Sequence, residues 1–316
     1  MTLVRASNFT GAQMNMPSSK AVIREHRIPT PDSGPYIVVE GPGGNLWFCE
    51  SRAGKIGCLH PDSGAFREFS LPDRDCVPIG IALGADGNLW FTEKAANRVG
   101  RISLDGTIAE FAMPTAKASP DGIALGPDGN IWLSESGIDR IARVTPDGRV
   151  REFGAGMTPG SRPLSIVVRD GALWFSQAAG CRVARMMLDG AVTEFPIPSV
   201  DSQPRAMALH PDGSIWFVET GANALGRIAR DGSIAEFAIP TPNASARGVT
   251  VGADGELWFT ENLANKIGRM DANGAMLGEY DIPTPASGAR CIVAMADGRL
   301  FFTQYDVGMI GEIIFP

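Results

Sequence analysis

Short apolar runs alternate with tight polar turns along the whole chain, and their order repeats. One phrase sets the pattern: Asp86-Gly87-Asn88-Leu89-Trp90-Phe91-Thr92-Glu93 returns with small edits in seven copies. The anchor aromatics are Trp47, Trp90, Trp132, Trp174, Trp216, Trp258 and Phe301, with spacings of 43, 42, 42, 42, 42 and 43 residues. Before each turn lies an apolar run, such as Ile79-Gly80-Ile81-Ala82-Leu83 or Gly248-Val249-Thr250-Val251. Runs of this length suit strands covered on both faces. Asp-Gly supplies the positive φ values that a tight hairpin needs. Leu-Trp-Phe then opens the returning strand, with a large ring available to pack between neighbouring sheets. A strand-rich repeat of this length predicts propeller blades.

Each repeat resolves into four strands, a to d. In the second copy they are predicted near Gly80–Leu83, Leu89–Glu93, Arg98–Ile102 and Ile108–Phe111, with Asp105-Gly106 turning c into d. The last copy supplies a, b and c only. Ala21 to Pro29 reads as a lone strand d, because Glu25-His26-Arg27-Ile28-Pro29 aligns with Glu236-Phe237-Ala238-Ile239-Pro240. The expected fold is therefore all-β, a seven-bladed propeller of four-stranded antiparallel blades. An N-terminal strand completes the C-terminal blade and removes an open sheet edge. Residues 1–20 read as a flexible N-terminal arm, and 21–316 as a single propeller domain.

Composition changes this picture little. The chain has 316 residues, 44% hydrophobic and 20% charged, within the ordinary globular range. The net charge of −7 argues against a nucleic-acid partner. No apolar run approaches membrane-spanning length, and no continuous apolar stretch marks a signal peptide near Met1. The 5 cysteines are odd in number and lack metal-ligand spacing. The expectation is a cytoplasmic monomer acting on a small molecule, with Cys181 and Cys291 as buried thiols. His26 sits in the outer strand d, while His60 and His210 sit in His-Pro-Asp turns, so all three read as structural.

In a propeller, equivalent positions converge on the central channel, so chemistry is sought by reading one repeat position down all copies. The residue opening strand a is Tyr36, Ile79, Asp121, Leu164, Arg205, Arg247 and Arg290. The residue ending strand b is Glu50, Glu93, Glu135, Gln177, Glu219, Glu261 and Gln304. Hairpin geometry puts the two positions at one end of the ring. Two readings stay open. In one, Arg205–Glu219 and Arg247–Glu261 are internal ion pairs. In the other, the arginines clamp an anion, with Arg290 free because Gln304 cannot neutralise it. Arg205, Arg247, Arg290, Glu219, Glu261 and Gln304 are thus the candidate substrate-binding set. Asp121, Glu135 and Tyr305 are the candidates for proton transfer.

At these residues the sequence resembles the streptogramin B lyases, also called virginiamycin B lyases. The likeness rests on Asp254-Gly255-Glu256-Leu257-Trp258-Phe259-Thr260-Glu261, on Ala264-Asn265-Lys266-Ile267-Gly268-Arg269 and on Ile239-Pro240-Thr241-Pro242. It implies a seven-bladed propeller that opens a cyclic depsipeptide by elimination, with Mg²⁺ on two glutamates and a histidine base. The base position is Arg290 here, and the second histidine position is Arg247. The two metal positions carry Gly288 and Gln304. Arginine stays protonated at neutral pH and makes a poor base. The fold therefore carries over, and no metal ligand does; whether any cofactor binds stays open.

Three functions follow as expectations. The first is a lyase-like protein that binds and cleaves a small anionic or ester-bearing molecule. The second is a non-catalytic propeller binding a small anion or peptide. The third is a metal-dependent lactonase of the gluconolactonase type, kept open by Glu50, Glu93 and Glu135.

Overall fold

The computed structural model describes residues 21–315. The proposed arm, 1–20, lies outside them. Seven four-stranded antiparallel sheets follow one another, each in the order a-b-c-d. Strand a of each blade touches strand a of the next, and blade 7 touches blade 1, so the innermost strands close a ring. Strand d of blade 7 is the N-terminal segment Val22–Arg27, paired with Met309–Ile314 from Val22↔Ile314 to Arg27↔Met309.

Blade 5 shows how the repeat builds a sheet. Its strands are Pro204–Leu209, Ile215–Glu219, Ala224–Ile228 and Ile234–Ala238. Strand b is wholly buried, and Trp216 stacks on Phe237 of its own strand d with ring centres 5.0 Å apart. Trp216 also belongs to one core cluster with Leu257 and Phe259 of blade 6. Each tryptophan is thus a wedge between blades, at most 3% exposed.

The turns refine the expectation. In Ala85-Asp86-Gly87 only the glycine has positive φ, at 76°, and Gly84 and Asn88 close the loop. This is the three-residue hairpin with a left-handed glycine, which needs one positive φ rather than two. Asp86 acts through its side chain instead. Its carboxylate accepts from the Asn88 amide and from the Trp90 indole, both at 3.2 Å. Strand a of blade 2 starts at Pro78, two residues before the predicted Gly80, while strands b and c run as expected.

Every strand a shifts register near its start. Pro204 pairs with Glu219 and Met207 with Phe217, so Arg205 and Ala206 lie opposite the single residue Val218. The bulge turns the arginine into the channel and separates it from the strand b carboxylate. Side-chain hydroxyls lock this region across blades. Thr92 donates to the Asp121 carbonyl at 2.8 Å, Thr260 to that of Arg290 at 3.1 Å, and Thr303 to that of Tyr36 at 2.8 Å. Gly80 and Gly248 let adjacent strands approach this closely, since a Cβ on either would strike the carbonyl of Asp121 or Arg290.

Candidate ligand-binding site at the channel mouth

The seven residues that open strand a, Tyr36, Ile79, Asp121, Leu164, Arg205, Arg247 and Arg290, all line one cavity of about 180 Å³. Its walls differ in chemistry. Blades 4 to 7 contribute Arg162, Arg205, Arg247 and Arg290, while blades 1 to 4 contribute Ile37, Ile79, Ile81, Ile123 and Ile166. Asp121 is in the wall, ion-paired with Lys94.

The arginines crowd one another. Burial lowers the pKa of Arg205, and the Arg162 and Arg290 charges add to that, against support from Tyr36 and Asp121. Burial also lowers Arg247, with Arg205 and Arg290 next. The Nε atoms of Arg205, Arg247 and Arg290 are buried without a hydrogen-bond partner. Arg290 lies over the Tyr305 ring at 3.8 Å and over Tyr36 at 5.1 Å, and Tyr305 in turn lies under Arg52 at 4.2 Å. The two tyrosine rings stand at 89° to one another, and their faces attract the guanidinium between them.

The expected ion pairs Arg205–Glu219 and Arg247–Glu261 do not form. Glu219, Glu261, Glu135 and Gln304 are fully buried and lie outside the cavity. The strand a bulge aims the arginines inward, whereas strand b carries its terminal carboxyl to the glutamate of strand d. The Glu236 carboxylate lies close enough to raise Glu219 further, as Glu152 does for Glu135 and Glu68 for Glu50. Burial is the first cause that raises these groups, and Glu219 is pushed up to about 9. Blade 4 has an amide in place of the carboxyl, and Gln177 Nε2 donates to Glu194 at 2.7 Å. The outer glutamates staple blades together. Glu152 accepts from Thr115 of the preceding blade at 2.6 Å, and Glu25 accepts from Thr284 at 2.8 Å.

Sequence reasoning missed Lys94 and Arg162. Lys94 follows the end of strand b, at a position otherwise filled by Ser51, Ser136, Ala178, Thr220, Asn262 and Tyr305. Arg162 lies two residues before Leu164 in a column of left-handed residues, its own φ being 56°. Both were readable as charged exceptions in columns of small or polar residues. Cys181 and Cys291 also differ from expectation. Each is only half-buried, because each borders a cavity, although Cys291 also packs against the core between blades 7 and 1.

Family comparison decides the relationship. The model of the virginiamycin B lyase family matches residues 9–169 and 155–315. The chain belongs to the virginiamycin B lyase family. A streptogramin B lyase structure is similar at 34% identity and TM-score 0.89, covering 94% of this chain and 98% of that one. The virginiamycin B lyase of Staphylococcus aureus is similar at 37% identity and TM-score 0.89, covering 94% of this chain and 100% of that one. A catalytically inactive histidine-to-alanine variant of that enzyme, with quinupristin, matches at 36% identity. A putative gluconolactonase at 18% identity and TM-score 0.58 shares the fold alone. No curated protein sequence matches the chain.

Within this family member, the residues at the implied Mg²⁺ positions do not fit the ion. Gly288 has φ +65°, and the space for a side chain there holds the Asp306 carboxylate, which Arg52 pairs at 2.9 Å. Gln304 is buried outside the cavity. Among the described residues no group of three or more His, Cys, Asp or Glu could hold a metal. A cationic wall also repels a hard divalent cation. Among the described residues no histidine lines the channel: His26, on the outer strand, bonds Glu312, His210 bonds the Gly255 carbonyl, and His60 ends a strand c.

Proposed function

We propose that this virginiamycin B lyase-like propeller binds a small organic anion at the channel mouth. Arg205, Arg247 and Arg290 form the clamp. One observation carries the reading: three part-buried guanidiniums from consecutive blades face one cavity, and none has a carboxylate ion pair among the described residues. Clustered, partly desolvated cations are unfavourable alone. A carboxylate or phosphate offsets both desolvation and repulsion, and its oxygens suit bidentate arginine. The isoleucine wall opposite suits an apolar body on the same ligand.

The test is calorimetric titration and thermal shift with phosphate, succinate and citrate, each compared with a neutral analogue. Anion-specific stabilisation is expected. Neutral amides that stabilise as well as the acids would refute the clamp.

A second reading keeps the lyase chemistry. Asp121 is the carboxylate in the cavity wall and acts on Arg205 from across the ring. In this reading Asp121, once released from Lys94, takes the proton beside an ester carbonyl. The arginines hold the enolate oxygen while the carbon–oxygen bond breaks. Metal-independent turnover of an ester, lost in Asp121→Asn, would support it. An anion-binding protein without turnover would leave the first reading alone.

A further inference from the structure

A second cavity, of about 340 Å³, lies against the first between blades 4 and 5. Arg162 and Arg205 belong to the walls of both. The remaining wall combines the polar Asp201 and Gln203 with Cys181, Ala178 and Ala179.

The cavity has a local cause. In most blades the turn from b to c ends on a left-handed Asn or Asp that caps the linker to the next blade. Asn223 donates to the carbonyls of Ile239 and Thr241 at 3.0 Å, and accepts from the Ala244 amide at 2.9 Å. Asn265 repeats this with Ile282, Thr284 and Ser287. Asn97 caps Thr115 and Ser119, and Asp139 accepts from the Gly160 and Arg162 amides. Blade 4 has Cys181 there, with φ 49°. Its carbonyl still accepts from Ile197 at 3.0 Å, so the backbone course survives. A thiol cannot reproduce the carboxamide cap. Blade 1 has Gly54 at this position, and there the Arg74 backbone closes over the space. Next to Cys181 the uncapped linker instead leaves a chamber.

We infer that this chamber is a second compartment of the channel site, so that the ligand has two parts: an anionic group on the arginines and a hydroxylated arm against Gln203 and Asp201. The inference rests on the anion-binding reading. Asp201 accepts hydrogen bonds from ligand hydroxyls, and the Gln203 carboxamide both donates and accepts. Arg205, shared by both compartments, sets the junction.

Two probes test it in the whole protein by calorimetry. Inorganic phosphate reaches the arginines alone, whereas glucose 6-phosphate adds a hydroxylated arm. Glucose 6-phosphate should bind at least about tenfold tighter, the effect of roughly one added hydrogen bond. Cys181→Asn restores the cap and should abolish that advantage while leaving phosphate affinity unchanged. Equal affinities in the native protein, or an advantage that survives Cys181→Asn, would overturn the two-part site and leave the anion clamp standing. Binding of neither probe would count against both. Thiol labelling gives a second readout that needs no variant of Cys181. An anionic methanethiosulfonate should modify Cys181 faster than a cationic one of similar size, and phosphate should slow it. Indifference to reagent charge, with phosphate bound, would again overturn the shared compartment.

Discussion

Replacing Glu219 by Gln should stabilise the protein at alkaline pH and do little in acid. Glu219 is fully buried, touches Glu236, and blade 5 has Ala224 where blades 1 to 4 and blade 6 carry a cation at the start of strand c. The unfolded chain releases this proton near its ordinary value of 4.5, the folded chain only near about 9. Between those values the folded state holds the extra proton, so its stability falls as pH rises. Each pH unit in that window is worth at most about 1.4 kcal/mol. Moving from pH 5 to pH 8 therefore sets a ceiling of about 4 kcal/mol, and relaxation of the pair and entry of water reduce it to about 1–3 kcal/mol. Glutamine has no titrating proton and its amide can donate to Glu236, as Gln177 already does to Glu194. The assay is urea denaturation of both proteins at pH 5 and pH 8. A gain of the same size at both pH values would refute the retained proton, and a loss at pH 8 would show that Glu219 is ionised and otherwise compensated.

Arg247→Ala should raise the melting temperature of the ligand-free protein, because it removes the middle charge of the cluster, yet weaken anion binding by about 1.5–3 kcal/mol; a clear drop in ligand-free stability would mean that the cluster is structural. Trp216→Ala should cost about 3–5 kcal/mol in denaturant titration, since the ring wedges blades 5 and 6, and a cost below about 1 kcal/mol would contradict the packing. Adding Mg²⁺ or EDTA should leave anion binding and streptogramin B stability unchanged, checked by calorimetry and mass spectrometry; Mg²⁺-dependent opening of the depsipeptide would require metal ligands not identified in this site. Deleting Val22–Arg27 should lower the melting temperature sharply and promote association through the strand Met309–Ile314, read by light scattering.

The ring was legible because its period is long, regular and tied to large aromatics. One repeat position gave the channel arginines, since every copy places it on the innermost strand. The ion pairs were not legible. Counting from Arg205 to Glu219 assumes a continuous ladder, and a two-residue bulge after Pro204 breaks it. The true partner of Glu219 was visible by the same column reading, as Glu236 belongs to a column with Glu68, Glu110, Glu152, Glu194, Glu279 and Glu25. That carboxyl groups face one another runs against simple charge matching, and burial resolves it by retaining a proton. The compartment beside Cys181 was hidden for another reason: a missing cap shows only when the linker it would hold is seen in space.

The ladder from Val22↔Ile314 to Arg27↔Met309 joins segments almost the full chain apart. During synthesis, then, the strand made first waits longest for its partner. Blades 1 to 6 can each assemble from contiguous chain as they emerge, but blade 7 is a joint rather than a unit. Loop closure over such a distance is entropically the hardest contact in the molecule and belongs late in folding. A permuted chain that carries Val22–Arg27 after Ile314 would keep every native pairing while making the seventh blade as local as the other six.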